Sequence, residues 1–250
     1  MDKSTSWGKV AGWYNNLIEK DEDSYQNKLI LPNLIRLVEA KRGELIVDLA
    51  CGQGFFSRKL AKSGARLIGI DISPELIDIA RKDKSVEYFV SQAHKLNFLQ
   101  NGYIDKVLIV LSLQNIENVQ DVIEETNRIL KPKGKIFIVL NHPAFRIPKA
   151  SSWGWDEVKK VQYRRLDSYL SESSEQIQIH PGDKPWEKTI SFHRPLQFYF
   201  KALNKNGFFV SRVEEWSSHK TSETGPKKAA EDRARHEFPL FLFLEATKIQ

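Results

Sequence analysis

Cysteine is nearly absent. Among 250 residues there is one, Cys51, so no internal disulfide can form and no cysteine-built metal site can be assembled. Its place inside a glycine turn suits a small residue chosen for fit better than a nucleophile. No apolar stretch approaches the roughly eighteen residues of a membrane-crossing helix, and the start M-D-K-S-T-S-W-G has no apolar core of signal-peptide length. A cytoplasmic protein without a membrane partner is the expectation. Long basic blocks are missing too. The net charge is +6, but the basic residues are scattered among acids, as in K-D-K-S-V-E and A-A-E-D-R-A-R-H-E. A mixed solvated surface is the commoner meaning of that pattern, and nucleic acid is the less favoured partner. There is no internal repeat and no low-complexity tract. With 41% hydrophobic and 28% charged residues the chain is an ordinary globular one, long enough to bury a full core.

The stretch that organises the chain is 45–54, L-I-V-D-L-A-C-G-Q-G, followed seventeen residues later by Asp71 at the end of a second apolar run. An apolar, partly β-branched run that stops at an acid and enters a glycine-rich turn predicts a buried parallel strand feeding a helix. Gly52 and Gly54 can take positive φ and let backbone N–H groups approach a ligand closely. Asp71 stands where an acid at the tip of the second strand can accept both hydroxyls of a ribose. A nucleoside-containing ligand is therefore expected. A tight turn in any α/β protein is the plainer reading of the glycines alone.

Residues 7–20 put Val10, Trp13, Tyr14, Leu17 and Ile18 at helical spacing, and 28–40 do the same with Leu31, Leu34, Ile35 and Val38, ending at Gly43. Strands are expected at 45–50, 66–70, 86–90, 105–111 and 136–140. Helices fall between them at 54–63, from Ser73-Pro74-Glu75 onward, and over Val119 to Leu130, with Lys131-Pro132-Lys133-Gly134 as a turn. Residues 141–194 break the rhythm and read as an insertion covering the mouth of the sheet. Pro195 opens a helix that buries Leu196, Tyr199, Phe200 and Leu203 and closes at Gly207. Strands at 208–216 and 240–246 form a hairpin-like antiparallel pair, with 223–237 as a charged excursion. The expected class is α/β: a doubly wound, mostly parallel seven-stranded sheet with an antiparallel edge strand, two N-terminal helices and an insertion after strand five.

Four motifs in this order, V-D-L-A-C-G-Q-G at 47–54, G-I-D-I-S-P at 69–74, D-K-V-L-I-V-L-S-L-Q-N-I at 105–116 and R-I-L-K-P-K-G-K-I-F-I-V at 128–139, resemble the class I S-adenosylmethionine-dependent methyltransferases. The likeness is to the small-molecule type grouped with ubiquinone and menaquinone biosynthesis. It implies one Rossmann-like domain over 1–250, with 1–43 as a helical cover and 141–194 covering the substrate. It also implies S-adenosylmethionine as cofactor and S-adenosylhomocysteine as product. Asp48, Ala50, Gly52, Gly54 and Phe55 would frame the methionine part, Asp71 the ribose, and Ile72 the adenine. Gln92 and Ala93 stand where the family usually has Asp-Ala, and a glutamine carbonyl can still accept from the adenine amino group. Leu111 and Ser112 would line the cofactor at the end of strand four. Tyr14 and Trp13 resemble the aromatic pair that closes over it.

The reaction implied is methyl transfer to a small or medium-sized acceptor at oxygen, nitrogen or carbon, by in-line displacement and with no metal required. Tyr14, His142 and His193 stand as catalytic candidates, with His219 a weaker third histidine. Asn141, His142, Arg146, Trp153 and Arg194 are candidates for substrate binding. Tyr163, Arg164, Arg165 and Lys220 could assist, and Trp155 could stack beside Trp153. Alternatively the arginines pair with Asp156, Glu157 or Asp167. An RNA methyltransferase and a non-catalytic S-adenosylmethionine-binding module are the other readings. A nicotinamide dehydrogenase is disfavoured by Ser57 in place of a third glycine and by Asp48 ahead of the glycines.

Overall fold

The structure, a computed structural model, describes residues 6–179 and 187–249. The polar run expected to end near Asp183, and the first residues of the helical cover, extend outside them. Helix α1 (Ala11–Lys20) is entered through a 3-10 turn at Gly8–Val10, and α2 (Leu31–Val38) through a wide turn at Gln26–Ile30. Helix α2 stops before Gly43, because Glu39 already turns left-handed at φ 44°. Then follow β1 (Leu45–Leu49), α3 (Phe55–Ala61), β2 (Arg66–Asp71), α4 (Pro74–Ala80), β3 (Glu87–Val90), β4 (Ile104–Val110), α5 (Val119–Ile129) and β5 (Leu130–Asn141). Ser73 caps α4 by accepting from Leu76 N at 3.3 Å, with Pro74 in the first turn, as the sequence pattern predicts.

The near-continuous apolar strands have both faces covered. Val47, Ile109 and Ile138 face α5 together with α6 (Leu196–Lys205), whereas Ile46, Leu108 and Phe137 face α2, α3 and α4. The period of two along each strand sorts its side chains into these two cores. Strands β1 to β5 are parallel in the order β3-β2-β1-β4-β5. The remaining pair is β10 (Phe208–Trp216) and β11 (Phe241–Lys248), with β11 inserted antiparallel between β5 and β10, so the rim itself is β10. The chain order reverses between β1 and β4, and their carboxyl ends open the crevice where such sheets take ligands.

Three segments differ from expectation. Lys131–Gly134 is a bulge inside a longer β5: Leu130 pairs with Ile104 and Lys135 with Lys106, with Lys133 left-handed at φ 64°. Within 141–194 the described residues form two hairpins, β6 (Ser151–Asp156) with β7 (Val161–Leu166), and β8 (Ser173–Gln178) with β9 (Lys188–His193). Asp156, read from the sequence only as a possible arginine partner, shapes the first loop instead: its Oδ1 accepts from Val158 N and Lys159 N, both at 2.9 Å, before Lys160 turns left-handed. The charged excursion contains a helix, α7 (Lys228–Glu237), packed against β7.

Gly54 holds α3 close to the sheet. It sits at φ 79°, and an added Cβ would lie 2.2 Å from Tyr88 Oη. Gly54→Ala is expected to cost about 2 kcal/mol, combining left-handed strain and overpacking. In a domain of this size that is a drop of roughly 4–8 °C in Tm. Thermal unfolding checks it, with Tyr88→Leu in the same chain expected to restore part of the loss; an unchanged Tm would remove the packing argument.

Candidate functional site

The turn after β1 is conformationally expensive. Ala50, Gly52 and Gly54 take φ of 54°, 57° and 79°, and Leu111, just past β4, takes 54°. Two non-glycine residues in the left-handed region at the ends of the two central strands are strain of the kind that collects at ligand sites. The turn is tied down by Cys51 N donating to Ile70 O at 3.0 Å and Gly52 N donating to Asp71 Oδ2 at 2.9 Å. Asp71 Oδ1 accepts from Ser73 N at 2.9 Å, so backbone amides aim the carboxylate from both sides.

A cavity of about 820 Å³, its open mouth included, lies over this turn. It is lined by Tyr14, Asp48, Ala50, Gly52, Phe55, Asp71, Ile72, Leu111 and Ser112. A groove lined by Gln92 and Ala93 continues it, sharing Ala50, Asp71, Ile72, Asn115 and Ile116. Gly54 stands beneath the turn, against Tyr88. Trp7, Gln53, Phe56 and Asn115 also line the cavity and were not singled out from sequence. The aromatic partner of Tyr14 at the cavity is Trp7, edge-on at 5.3 Å, with Trp13 outside the lining.

The electrostatics favour a cationic ligand with polar ends. Asp48 is 2% exposed and accepts from Ser57 Oγ at 2.5 Å, which explains the serine at position 57. Neither Asp48 nor Asp71 has an ion-pair partner among the described residues. Burial, then the charge of Asp71, pushes the Asp48 carboxyl up to about 7 against the Ser57 hydrogen bond. Asp71 is raised by burial and held back by the Ser73 and Gly52 amides. Burial and the two carboxylates push the Tyr14 phenol up to about 12, so at neutral pH it is a hydroxyl donor. Gln53 Nε2 and Ser112 Oγ are buried without a hydrogen-bond partner among the described residues.

Because Asp48 has a folded pKa above the roughly 3.9 of an unfolded aspartate, the folded state holds its proton more tightly. The resulting stability is present below about pH 4 and lost as pH rises toward 7. Asp48→Asn is therefore expected to flatten the decline of Tm across that window. Parallel slopes for the two proteins would sink the assignment.

The substrate candidates divide. Asn141, Arg146, His193 and Arg194 line a second cavity, on the other side of the Leu113–Asn115 turn from the first. The β8–β9 hairpin is bound to that turn by Asn115 Nδ2 donating to Ile190 O at 2.8 Å. His193 Nε2 donates to Tyr169 O at 2.7 Å, which leaves Nδ1 as the lone-pair nitrogen. His142 lines neither cavity: Nε2 donates to Glu215 Oε1 at 2.7 Å, and Nδ1 accepts from Ala144 N and Phe145 N. Burial lowers its pKa against the pull of Glu215, so it is a neutral clasp between the end of β5 and β10. Trp153 also lies outside both cavities, edge-on to Phe238 at 5.6 Å with Arg164 over its face. Trp155 carries Lys227 over its ring. His219 binds Asp23 O at 3.1 Å, joining the end of β10 to the N-terminal helices.

Sheet order, strained turn and acid-lined cleft together give a Rossmann-like α/β fold with the cleft at its switch point. Residues 47–138 match the family described as a methyltransferase domain, and over that stretch the chain resembles the class I S-adenosylmethionine-dependent methyltransferases. It is 33% identical over 128 residues to a ubiquinone biosynthesis O-methyltransferase from Xanthomonas oryzae pv. oryzae, covering 47% of this chain and 54% of that one. Similarity to a demethylmenaquinone methyltransferase from Tropheryma whipplei is 30% over 113 residues, covering 43% and 46%. The chain thus spans about half the length of these relatives. An S-adenosylmethionine-dependent methyltransferase structure from Mesorhizobium loti superposes with a TM-score of 0.70 at 26% identity, over 87% of this chain and 96% of the other. Among the described residues no helix is long and apolar enough to cross a membrane.

Proposed function

We propose that the protein transfers a methyl group from S-adenosylmethionine to a small or medium-sized acceptor at oxygen, nitrogen or carbon. The observation that carries this reading is the pairing of two buried carboxylates lacking cationic partners, Asp48 and Asp71, with unpartnered Gln53 Nε2 and Ser112 Oγ in one cleft. These residues fit the cofactor: Asp71 would hold ribose hydroxyls, Gln92 the adenine edge, and Gln53, a donor, the carboxylate end. When bound, the cofactor supplies an electrophilic methyl on a sulfonium. Asp71 would offer that cation compensating charge, and Asp48, pushed up to about 7, would add to it when ionised. Tyr14 and Trp7 close the cleft from above with a protonated phenol.

For an O–H or N–H acceptor, His193 is the group available to take the proton, since its Nδ1 is not committed to a described partner whereas both nitrogens of His142 are. The names of the relatives, concerned with ubiquinone and menaquinone, support a quinone-type acceptor ring. Calorimetry with S-adenosylmethionine and S-adenosylhomocysteine tests the cofactor, and transfer of labelled methyl to a panel of hydroxylated and aminated aromatics tests the reaction. Absence of binding would overturn the reading; binding without transfer to any member would favour a non-catalytic module.

A further inference from the structure

The second cavity has a charge composition that methyl transfer alone does not require. Arg146, Arg164 and Arg194 all line it, and among the described residues no aspartate or glutamate does. Arg194 is committed to structure: it donates to Glu117 O at 2.8 Å and Leu113 O at 3.5 Å, lies between the rings of Phe192 and Phe198, and has Glu172 at 3.9 Å. Arg146 and Arg164 differ. Arg146 donates from Nη1 to Asn141 Oδ1 at 2.7 Å, and Arg164 donates to Phe145 O at 2.8 Å and Ser151 Oγ at 2.7 Å. All three of those partners are neutral. The nearby acids are spoken for: Asp167 pairs with Arg165 at 2.6 Å, Glu157 with Lys160 at 2.9 Å, and Asp156 caps its hairpin loop. Burial lowers the pKa of both guanidiniums; at Arg146 the pull of Tyr25 opposes the shift and the charge of Arg164 adds to it. Two like charges held within reach of each other, with most of their N–H donors unassigned to protein groups, make a seat for an oxyanion.

Gln114 supplies the other pole. It is 9% exposed, and its Nε2 donates to Leu111 O at 2.7 Å, which fixes the amide so that Oε1 is the acceptor left over. That oxygen is buried with no partner among the described residues, and Gln114 is one of the residues lining the cavity. An unpaired buried acceptor is destabilising unless a donor arrives. It sits on the turn directly after Leu111 and Ser112 of the cofactor cleft.

We propose that this cavity is the acceptor site and selects a small molecule with an oxyanion, carboxylate or phosphate, gripped by Arg146 and Arg164. A hydroxyl or amine of the same molecule donates to Gln114 Oε1, beside the cofactor cleft. The role as acceptor site rests on the methyl-transfer reading; the preference for an anion does not. The test is calorimetry on the full chain saturated with S-adenosylhomocysteine, titrated with 2-, 3- and 4-hydroxybenzoate, the matching hydroxyphenyl phosphates and the neutral hydroxybenzamides. At least one anionic probe is expected to bind tenfold or more tightly than its amide counterpart. Preference for the carboxylate would assign a free acid, and preference for the phosphate a phosphorylated acceptor. Arg146→Gln is expected to abolish that margin with S-adenosylhomocysteine affinity unchanged, and Arg146→Lys to keep part of it. Arg146 is the position of choice because Arg164 also holds Phe145 and Ser151 and its loss would loosen the hairpin. Gln114→Leu should remove the advantage of the preferred hydroxybenzoate over benzoate. Equal binding of amides and anions, no binding of any anion, or an Arg146→Gln protein that keeps the margin would overturn the proposal. Failure to bind S-adenosylhomocysteine would instead count against the methyltransferase reading, and the comparison of anion with amide would still be made without it.

Discussion

Replacing Asp71 by alanine is expected to weaken S-adenosylhomocysteine binding about a hundredfold. The carboxylate is 8% exposed and aimed by two backbone amides, Gly52 N and Ser73 N, each at 2.9 Å. Its remaining lone pairs face the cleft where a ribose would lie. Hydrogen bonds to an ionised acceptor contribute roughly 1.5–3 kcal/mol each, and about 3 kcal/mol for two hydroxyls, after water fills part of the gap, corresponds to a hundredfold. Asp71→Asn keeps an acceptor but loses the charge, and should fall between wild type and alanine. The substitution also releases the Gly52 and Ser73 amides, so thermal unfolding must be measured beside calorimetry. Unaltered affinity in a folded Asp71→Ala protein would undo the ribose assignment.

His193→Asn is expected to lower kcat about a hundredfold or more toward an O–H or N–H acceptor, while S-adenosylhomocysteine affinity stays within about twofold. The hydrogen bond to Tyr169 O at 2.7 Å fixes the tautomer and leaves Nδ1 as the basic nitrogen of a residue that lines the proposed acceptor cavity. His142→Asn is expected to act differently. It removes a buried clasp to Glu215 and to the amides of Ala144 and Phe145, so its effect should appear as lowered Tm with kcat of the surviving enzyme little changed. Steady-state kinetics on both variants, corrected for folded fraction, separate the roles. Loss of turnover in a fully stable His142→Asn protein, with His193→Asn unaffected, would reverse the assignment.

The local parts of the site were legible early. The strand, the left-handed turn and Asp71 depend on apolar runs, glycine positions and a short sequence interval, all set by the backbone of a single β-α-β unit. The aromatic pair over the cleft was read less well. A regular helix over 7–20 places Trp13 beside Tyr14, but α1 begins at Ala11, and the 3-10 turn before it swings Trp7 onto the Tyr14 ring. Residues 151–193 were harder still. Burial alternates weakly along β6 and β7; along β8 and β9 it alternates cleanly, but the inward residues of β9 are Thr189, Ser191 and His193 while Ile190 is exposed, and no two-residue glycine turn marks the hairpins, so hydropathy had little to record.

By itself, then, the sequence determined the doubly wound sheet, its crevice between β1 and β4, and the acids that line it. Those features follow from short-range patterns repeated along the chain. Tertiary structure alone decided the rest. It spent both nitrogens of His142 on a clasp and directed His193 into a cavity. It gave Asp167 to Arg165 while leaving Arg164 without an acid, and folded Arg164 back beside Arg146. Which charges meet depends on how half-polar hairpins dock on the sheet, and that docking is fixed by long-range packing no local pattern encodes.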